Sequence, residues 1–214
     1  MQAWNDAWKT STGRADWLEP SSFIQEILPD IAQHDSKRCI DIGCGPGRHA
    51  MYAARLGFHA IGVDAARSGV QYLRTWAATE SASVDVSAAD MNALPFENET
   101  FDCAIAWNVI YHGTADVVVR AVDEVARILT PSGIFILTLI SKRNIRYGVG
   151  TEIEPDTFVN EDDPGETRHP HRFYGRTDAI RLLSAFDIIE AREVEQKTPE
   201  SYHWEIACRK AHRT

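Results

Sequence analysis

Short apolar runs alternate with helical patterns along the first two thirds of the chain. The runs predict β-strands over residues 38–42, 59–63, 84–88, 101–107 and 134–140. Between them, apolar residues three or four positions apart predict helices over residues 48–56, 67–78 and 115–129. Strands that alternate with helices are joined by right-handed crossover connections. We therefore expect an α/β fold: a doubly wound, mostly parallel seven-stranded sheet with helices on both faces.

The last third of the chain has a different pattern. Thr177 is expected to cap a helix whose apolar face consists of Ile180, Leu183 and Phe186. Two strands follow, over residues 187–195 and 202–209, separated by the segment QKTPES. A connection this short cannot form a parallel crossover, so we expect an antiparallel pair with a reversed last strand.

The length of 214 residues suits a single domain, residues 1–214. Within it we expect residues 1–35 to form an N-terminal helical cap. Residues 141–172 lose their periodicity, contain several glycines and prolines, and follow the central strand at the sheet edge where α/β proteins bind ligands. Long loops of this kind are usually functional, so we interpret residues 141–172 as an inserted loop that forms a substrate lid, with an inert insertion as the alternative.

Composition and charge narrow the class of protein. The chain has 22 Lys and Arg against 31 Asp and Glu, a net charge of −9, which argues against a general binder of nucleic acids or anionic membranes. The longest apolar run falls far short of the roughly 20 residues that span a bilayer, and the N-terminal segment MQAWNDAWKT does not resemble a signal peptide. We therefore expect a cytoplasmic protein. Its four cysteines lack CxxC spacing, so we expect buried, reduced thiols.

A glycine-rich turn, GCGPG, follows the first strand at residues 43–47. Gly43, Gly45 and Gly47 allow a sharp turn and a close approach of the backbone to a ligand, and the next helix directs its free N–H groups to the same place. The spacing GxGxG differs from the GxGxxG fingerprint of dinucleotide-binding proteins. Asp41, at the strand end, is poorly placed for a pyrophosphate and suits a ligand amine.

Two further carboxylates stand at the ends of the next two strands. Asp64 ends the second strand and can accept hydrogen bonds from both hydroxyls of a ribose. Asp90 follows the third strand and can accept from an exocyclic amine such as that of adenine. With Asp41, these carboxylates fit an adenosine that carries a positively charged amino-acid tail.

Three segments carry a family resemblance: CIDIGCGPGRHAMYAARLGFHAIGVD, ADMNALPFENETFDCAIAWNVIYHG and ARILTPSGIFILT. Over about residues 38–140 the chain resembles the class I S-adenosylmethionine-dependent methyltransferases, which implies a Rossmann-like methyltransferase fold. It also implies S-adenosyl-L-methionine as cofactor and S-adenosyl-L-homocysteine as product. The GRHA turn, the WNVIYHG segment and the acidic insertion resemble small-molecule methyltransferases, including the tellurite-resistance type.

The resemblance also assigns cofactor-binding residues. Asp41 and the three glycines would line the methionine part, Asp64 would hold the ribose, and Asn108 would touch the cofactor from the other side. Asp90 with Met91 would hold the adenine, and Cys44 and Ala65 complete the set.

The acceptor is expected to be a small molecule and not a nucleic acid. The chain lacks the Asn-Pro-Pro-Tyr, Asp-Pro-Pro-Tyr and Pro-Cys signatures of nucleic-acid methyltransferases. If the acceptor is a hydroxyl or a protonated amine, His112 or Tyr111 after the fourth strand is the best-placed base. The alternative is that both side chains pack or cap the following helix.

Other residues leave more than one interpretation open. His169 and His171 form an HxH pair without further ligands nearby, so we expect no metal site. Trp4, Trp8 and Trp17 either form a lid over the cofactor, since aromatic faces attract a sulfonium, or pack on the sheet. Four arginines flank the insertion and either hold an anionic acceptor or are solvated: Arg143, Arg146, Arg168 and Arg172.

Two functions compete with an enzymatic methyl transfer. A binding module would keep the cofactor site without turnover and act through a partner. A nicotinamide-dependent oxidoreductase would need the dinucleotide fingerprint, which the GxGxG spacing and Asp41 disfavour.

Overall fold

The computed structural model describes residues 2–33, 37–163 and 168–211. Its helices are α1 (Gln2–Ala7), α2 (Ser11–Arg14), α3 (Ser22–Ile31), α4 (Arg48–Arg55), α5 (Arg67–Glu80), α6 (Ala115–Ile128) and α7 (Arg176–Leu182), with a 3-10 turn at Ala15–Trp17. Its strands are β1 (Arg38–Ile42), β2 (His59–Asp64), β3 (Val84–Ala88), β4 (Phe101–Ala106), β5 (Leu129–Ser141), β6 (Thr151–Glu154), β7 (Thr157–Val159), β8 (His171–Tyr174), β9 (Phe186–Glu195) and β10 (Tyr202–Lys210).

The main sheet has the strand order β3-β2-β1-β4-β5-β10-β9. Strands β1 to β5 pair in parallel. Strand β10 runs antiparallel to both β5 and β9. This path confirms the expected doubly wound sheet and its reversed last strand. Most predicted bounds hold within two residues, but β5 begins at Leu129, several residues before the predicted start.

The apolar run in β5 is buried because helices cover both faces of the sheet. Phe135 and Leu137 pack in a cluster that contains Val122 of α6, whereas Ile136 packs in a cluster with Phe23 of α3. All four cysteines are buried free thiols, as expected. No helix among the described residues is long and apolar enough to cross a membrane.

The segment 141–172 is more ordered than its lack of periodicity suggests. It contains the hairpin β6–β7 and the beginning of β8, which raise the sheet to ten strands. Strand β8 pairs antiparallel with β7 and in parallel with the last two residues of β5, Ile140 and Ser141. Strands of three and four residues are too short to show a period of two. The described part of the segment is therefore folded onto the sheet edge, while its role as a lid stays a prediction.

The helix after the insertion corrects two expectations. Gly175, and not Thr177, is the N-cap of α7, and Asp178 accepts a hydrogen bond from the Gly175 N–H at 3.2 Å. Helix α7 ends at Leu182, so Leu183 is its C-cap and Phe186 is the first residue of β9, and the expected helical face is not formed. Ala179 and Leu183 are buried, whereas Ile180 is 51% exposed.

The predicted N-terminal cap is helical where it is described. Helices α1, α2 and α3 fall within residues 2–33, and residues 1, 34 and 35 lie outside the described part of the chain. Asn5 joins α1 to α5: its Oδ1 accepts from the Ser68 N–H at 3.1 Å, and its carbonyl accepts from the Ser68 hydroxyl at 2.6 Å. The first residues of the chain are thereby held beside the carboxyl ends of the parallel strands.

Candidate functional site

The carboxyl ends of β1 to β4 open into one cavity of about 470 Å³. This volume lies in the range of about 300–1,000 Å³ that is usual for small-molecule sites. A larger groove of about 790 Å³ lies between α7 and the β9–β10 pair and shares no lining residue with the cavity. The cavity stands where open α/β sheets bind their ligands, so it is the candidate site.

Most of the predicted site residues line this cavity: Gly43, Cys44, Gly45, Asp64, Ala65, Asp90, Met91, Asn108 and His112. Asp41, Gly47 and Tyr111 do not belong to its lining. Among the lining residues that were not singled out from the sequence are Arg48, His49 and Trp107. Arg48 and His49 belong to the first turn of α4, and Trp107 follows β4 directly, so the helical and strand patterns gave no reason to select them.

The three glycines of the turn have different tasks. Gly43 and Gly45 line the cavity with φ angles of +65° and +53°, in the left-handed region that favours glycine. Gly47 is the N-cap of α4 at φ +99°, and a Cβ there would lie 2.2 Å from the side chain of Leu73. Gly47 therefore permits α4 to pack on α5, whereas the first two glycines expose backbone to the cavity.

Asp41 lies beneath the turn. It is 2% exposed, and its Oδ2 accepts the Ala50 N–H of α4 at 3.1 Å. Burial raises its pKa to about 7, although the Ala50 N–H and the Arg48 charge oppose this shift. In this structure Asp41 thus anchors the glycine turn to α4 from below.

Asp64 connects the end of β2 to the glycine turn. Its Oδ2 accepts the Gly45 N–H at 2.7 Å and its Oδ1 accepts the Ala66 N–H at 2.6 Å. Burial raises the pKa of Asp64, and the N–H groups that it accepts lower it. The carboxylate has a fixed orientation at the cavity wall, where its remaining lone pairs can accept ligand hydroxyls.

The segment after β3 offers acceptors for an amine. Asp90 Oδ1 accepts from the backbone N–H and the side-chain amide of Asn92, at 2.9 and 3.0 Å, and these bonds lower the pKa of Asp90. The Oδ1 of Asn92 is buried and has no hydrogen-bond partner among the described residues. Such an orphaned acceptor beside Asp90 fits a ligand that brings N–H donors, as an adenine amine does.

The side of the cavity that follows β4 carries His112. Its Nε2 lies 3.2 Å from the Asn108 carbonyl oxygen, and burial lowers the pKa of His112 to about 3. Tyr111 is buried behind it, with the two rings stacked at 4.8 Å and the Tyr111 hydroxyl 3.5 Å from Nε2 of His203. Of the two predicted bases, the structure brings His112 to the cavity wall and leaves Tyr111 in the packing behind it.

The three N-terminal tryptophans both pack and line the cavity. Trp4 and Trp8 stack at 5.0 Å, and Trp17 meets each of them edge-on at 5.5 Å. The Trp8 ring lies against Gly45, where a Cβ would come within 3.2 Å of it. The aromatic cluster of Trp4, Trp8 and Trp17 therefore covers the glycine turn, and closure over a ligand stays a prediction.

The insertion reaches the cavity through His169 and Pro170. The Pro170 carbonyl accepts the Gly113 N–H at 2.8 Å, which ties this segment to the turn after β4. His171 is buried outside the cavity lining. Within the described residues no group of three His, Cys, Asp or Glu side chains has the arrangement of a metal site.

The four flanking arginines lie outside the cavity lining. Arg143 pairs with Glu193 at 2.9 Å. Arg172 donates to the Pro155 carbonyl at 2.9 Å and the Thr157 hydroxyl at 3.0 Å. These contacts hold the insertion and the β9–β10 pair in place and do not support a role in binding an anionic acceptor.

Comparison with known proteins gives this arrangement a family. Residues 39–133 match the family model described as a methyltransferase domain, and these residues include the glycine turn, the carboxylates and His112. Residues 39–133 of the chain therefore form a methyltransferase domain of the S-adenosylmethionine-dependent class. Its cofactor is therefore S-adenosylmethionine, and the nicotinamide alternative is wrong.

The methyltransferase domain is similar to curated and solved proteins. It is 36% identical over 106 residues to a ubiquinone biosynthesis O-methyltransferase of Bartonella tribocorum, a match that covers 49% of this chain and 42% of the relative. It has the fold of a Methanosarcina mazei S-adenosylmethionine-dependent methyltransferase, with a TM-score of 0.75, 21% identity, and coverage of 90% and 99% of the two chains.

A second solved relative was determined with a ligand. The 1,6-didemethyltoxoflavin-N1-methyltransferase of Burkholderia thailandensis, with bound S-adenosylhomocysteine, aligns over 99% of this chain and 88% of its own, with a TM-score of 0.73 and 16% identity. The chain covers less than half of the length of the Bartonella relative. The likeness to the solved structures establishes the fold of the methyltransferase domain.

Proposed function

We propose that the protein transfers the methyl group of S-adenosylmethionine to an acidic hydroxyl, phenolic or enolic, of a small acceptor, with His112 as the general base. The observation that carries this proposal is the orientation of the His112 ring. A carbonyl oxygen only accepts hydrogen bonds, so Nε2, 3.2 Å from the Asn108 oxygen, bears the hydrogen. The lone pair is then on Nδ1, and the side chain lines the cavity.

A neutral imidazole is suited to this reaction. The cofactor supplies a methyl group bound to a positively charged sulfur. As the acceptor oxygen bonds to the methyl carbon, the carbon–sulfur bond breaks with its electron pair on sulfur, and the proton of the oxygen becomes much more acidic. Nδ1 can take that proton although the pKa of His112 is only about 3, and at neutral pH the ring is uncharged and available.

The remaining requirement is position, because an in-line displacement gains most from holding the acceptor near the methyl group. The carboxylates of the lining, Asp64 and Asp90, stand at the ends of β2 and β3, where they support the adenosine part of the cofactor. His112 follows β4, on the other side of β1 in the sheet. The acceptor would therefore lie between the glycine turn and the β4 side.

The charges around that space favour an acceptor with negative character. Arg48 lines the cavity with its guanidinium 5.0 Å from the Trp17 ring, and no described carboxylate pairs with it within 4.0 Å. The pKa values of His49, His112 and His169 on this side are lowered, chiefly by burial, so these rings are uncharged hydrogen-bonding groups and the positive charge comes from Arg48. A phenolic or enolic oxygen suits these groups better than a cationic amine. The name of the Bartonella relative, an O-methyltransferase, agrees with this choice.

The test uses simple acceptors with and without the expected group. We expect mass spectrometry to show that catechol or 3,4-dihydroxybenzoate gains one methyl group while benzylamine does not. His112→Gln should lower turnover about 100-fold or more, with unchanged binding of S-adenosylhomocysteine. His59→Gln, at an exposed imidazole that pairs with Asp85, is the matched control and should leave turnover unchanged.

Several results would contradict the proposal. Methylation of benzylamine alone would show that the acceptor is not a hydroxyl. Transfer to a tRNA probe would show that the acceptor is not a small molecule. Full turnover by His112→Gln would show that His112 is not the base. Binding of S-adenosylhomocysteine without transfer to any hydroxyl probe would favour a binding module.

A further inference from the structure

We propose that Thr138 is a positioning residue that acts through Asn108 to fix the ring of His112 in the orientation that a base requires. This inference rests on the proposed function, since it concerns the same base. Thr138 lies in β5 and does not touch the cavity. Its influence on the reaction would therefore pass through Asn108.

The Thr138 hydroxyl makes two hydrogen bonds to Asn108, one as acceptor and one as donor. Its Oγ1 accepts the Asn108 N–H at 2.7 Å and donates its hydrogen to Asn108 Oδ1 at 3.1 Å. Thr138 is fully buried between Leu137 and Leu139, which are also fully buried. A hydroxyl in such surroundings is unfavourable unless it is hydrogen-bonded, so its two bonds to one residue account for its presence in an apolar strand.

Asn108 needs this support because of its backbone conformation. It has φ +57°, in the left-handed region that residues other than glycine rarely adopt. Its Oδ1 also accepts from the side-chain amide of Gln196, the first residue after β9, at 3.4 Å. The strained turn directs the Asn108 carbonyl to Nε2 of His112, four residues further on.

This series of hydrogen bonds, from Thr138 through Asn108, ends at the imidazole of His112. While the carbonyl accepts from Nε2, the ring has one tautomer and one orientation, and Nδ1 keeps its lone pair. If Asn108 relaxes out of the left-handed region, its carbonyl turns away. The ring then loses its fixed orientation, and both tautomers become accessible.

The sharpest variant is Thr138→Val, which keeps the shape of the side chain and removes both hydrogen bonds. Thr138→Ser keeps the hydroxyl and is the matched control. Asn108 itself lines the cofactor cavity, so substituting it would mix two effects.

The first readout is independent of the acceptor. In ¹⁵N-labelled protein, the His112 nitrogens are assigned by the signals that His112→Gln removes. We expect wild type and Thr138→Ser to give widely separated ¹⁵N chemical shifts for Nδ1 and Nε2 of His112, as a single Nε2–H tautomer does. Thr138→Val should give the intermediate shifts of an averaging ring, with folding checked by its melting curve.

The second readout is turnover of the hydroxyl probe that the wild-type protein methylates. We expect Thr138→Val to lower kcat by about 10-fold to 100-fold, as removal of groups that orient an imidazole commonly does, and Thr138→Ser to restore it. The KM for S-adenosylmethionine is measured in the same experiment, because Asn108 lines the cavity, and we expect it to change less than kcat.

The outcomes separate this inference from the proposed function. A folded Thr138→Val protein with the same His112 chemical shifts and the same kcat as wild type would overturn the inference. If His112→Gln still lowers kcat, the proposed base would stand even then. Unchanged kcat in His112→Gln would overturn both the base and the positioning role, even if the His112 shifts respond to Thr138→Val.

Discussion

The carboxylate of Asp64 holds the backbone N–H of Gly45 at 2.7 Å, so the end of β2 fixes the glycine turn that follows β1. The same carboxylate accepts the Ala66 N–H at the start of α5. Two neighbouring loops at the cavity therefore depend on one side chain. That dependence makes Asp64 important both for the ligand and for the shape of the cavity.

We expect Asp64→Ala to weaken S-adenosylhomocysteine binding at least tenfold. Hydrogen bonds to a charged group contribute about 1.5–3 kcal/mol each, and about 1.4 kcal/mol corresponds to a factor of ten in Kd. Titration calorimetry gives the Kd directly. Asp85→Ala, at an exposed carboxylate on β3 outside the cavity, is the control. Equal Kd values for Asp64→Ala and wild type would show that the ribose assignment is wrong.

Gly47 and Gly57 form a matched pair for a stability measurement. Both have a left-handed backbone, at φ +99° and +92°. A Cβ at Gly47 would meet Leu73 at 2.2 Å, whereas a Cβ at Gly57 would meet nothing within 4 Å. The conformational penalty of an alanine is about 1–2 kcal/mol at either position, but only Gly47→Ala also overpacks the α4–α5 contact, at a further cost of about 1–3 kcal/mol.

Urea unfolding of the two variants measures this difference. We expect Gly47→Ala to lose more free energy of unfolding than Gly57→Ala. Similar losses would mean that Leu73 moves aside, and that Gly47 is required for its conformation alone.

The central part of the fold could be predicted because its signals are local. The apolar run of β5 and the glycine turn each determine their own geometry, and parallel topology brings their ends together. Strands β6, β7 and β8 could not be predicted, because strands this short depend on partners far away in sequence. The N-cap of α7 was misplaced for a related reason: Asp178 caps Gly175 from inside the helix, which resembles no simple Ser or Thr cap.

The candidate site could also be predicted from the sequence only in part. Carboxylates at strand ends could be predicted, since the sheet determines where those ends meet. The role of Asp41 beneath the turn depends on its bond to Ala50, which is a tertiary contact. Arg48 and Trp107 reach the cavity because of how α4 and β4 are oriented, and a helical or strand pattern does not contain that information. Thr138 had one available signal, as the single hydroxyl within the apolar run 134–140.

Asn5 acts as a cap supplied from another helix. Helix α5 has Ala66 as its N-cap and no side-chain cap of its own, and Asn5 Oδ1 accepts the Ser68 N–H in its first turn. Removing an N-cap side chain costs about 1 kcal/mol. We expect Asn5→Ala to loosen α1, to speed amide hydrogen exchange at Trp8, whose N–H donates to the Trp4 carbonyl at 3.0 Å, and to weaken S-adenosylhomocysteine binding several-fold, because both rings line the cavity.

Lys9→Ala is the control for Asn5→Ala, since it removes only an exposed ion pair with Asp6 in the same segment. Exposed pairs contribute little. Equal exchange rates at Trp8 in Asn5→Ala and Lys9→Ala would show that the aromatic cluster, and not the Asn5 contact, holds α1 in place.

The buried carboxyl of Asp41 gives the protein a pH-dependent stability. Its pKa is raised from 3.8 to about 7, chiefly by burial. Between those values the folded state binds more protons at this group than the unfolded state, so the free energy of unfolding falls as pH rises through the window. Asp41→Asn keeps an oxygen for the Ala50 N–H but has no charge to bury. We expect it to be more stable than wild type at pH 8, by at most about 4 kcal/mol, with an advantage that shrinks towards pH 4.

Urea unfolding of wild type and Asp41→Asn across this pH range measures the difference between the two proteins. Titrating groups that do not interact with Asp41 are common to both proteins and cancel in that difference, whereas the charge of Asp64 contributes to the raised pKa of Asp41. Asp187→Asn, at an exposed position of β9, should follow the wild-type curve. Parallel curves for wild type and Asp41→Asn would show that Asp41 is ionised in the folded protein, with its charge balanced by the nearby Arg48.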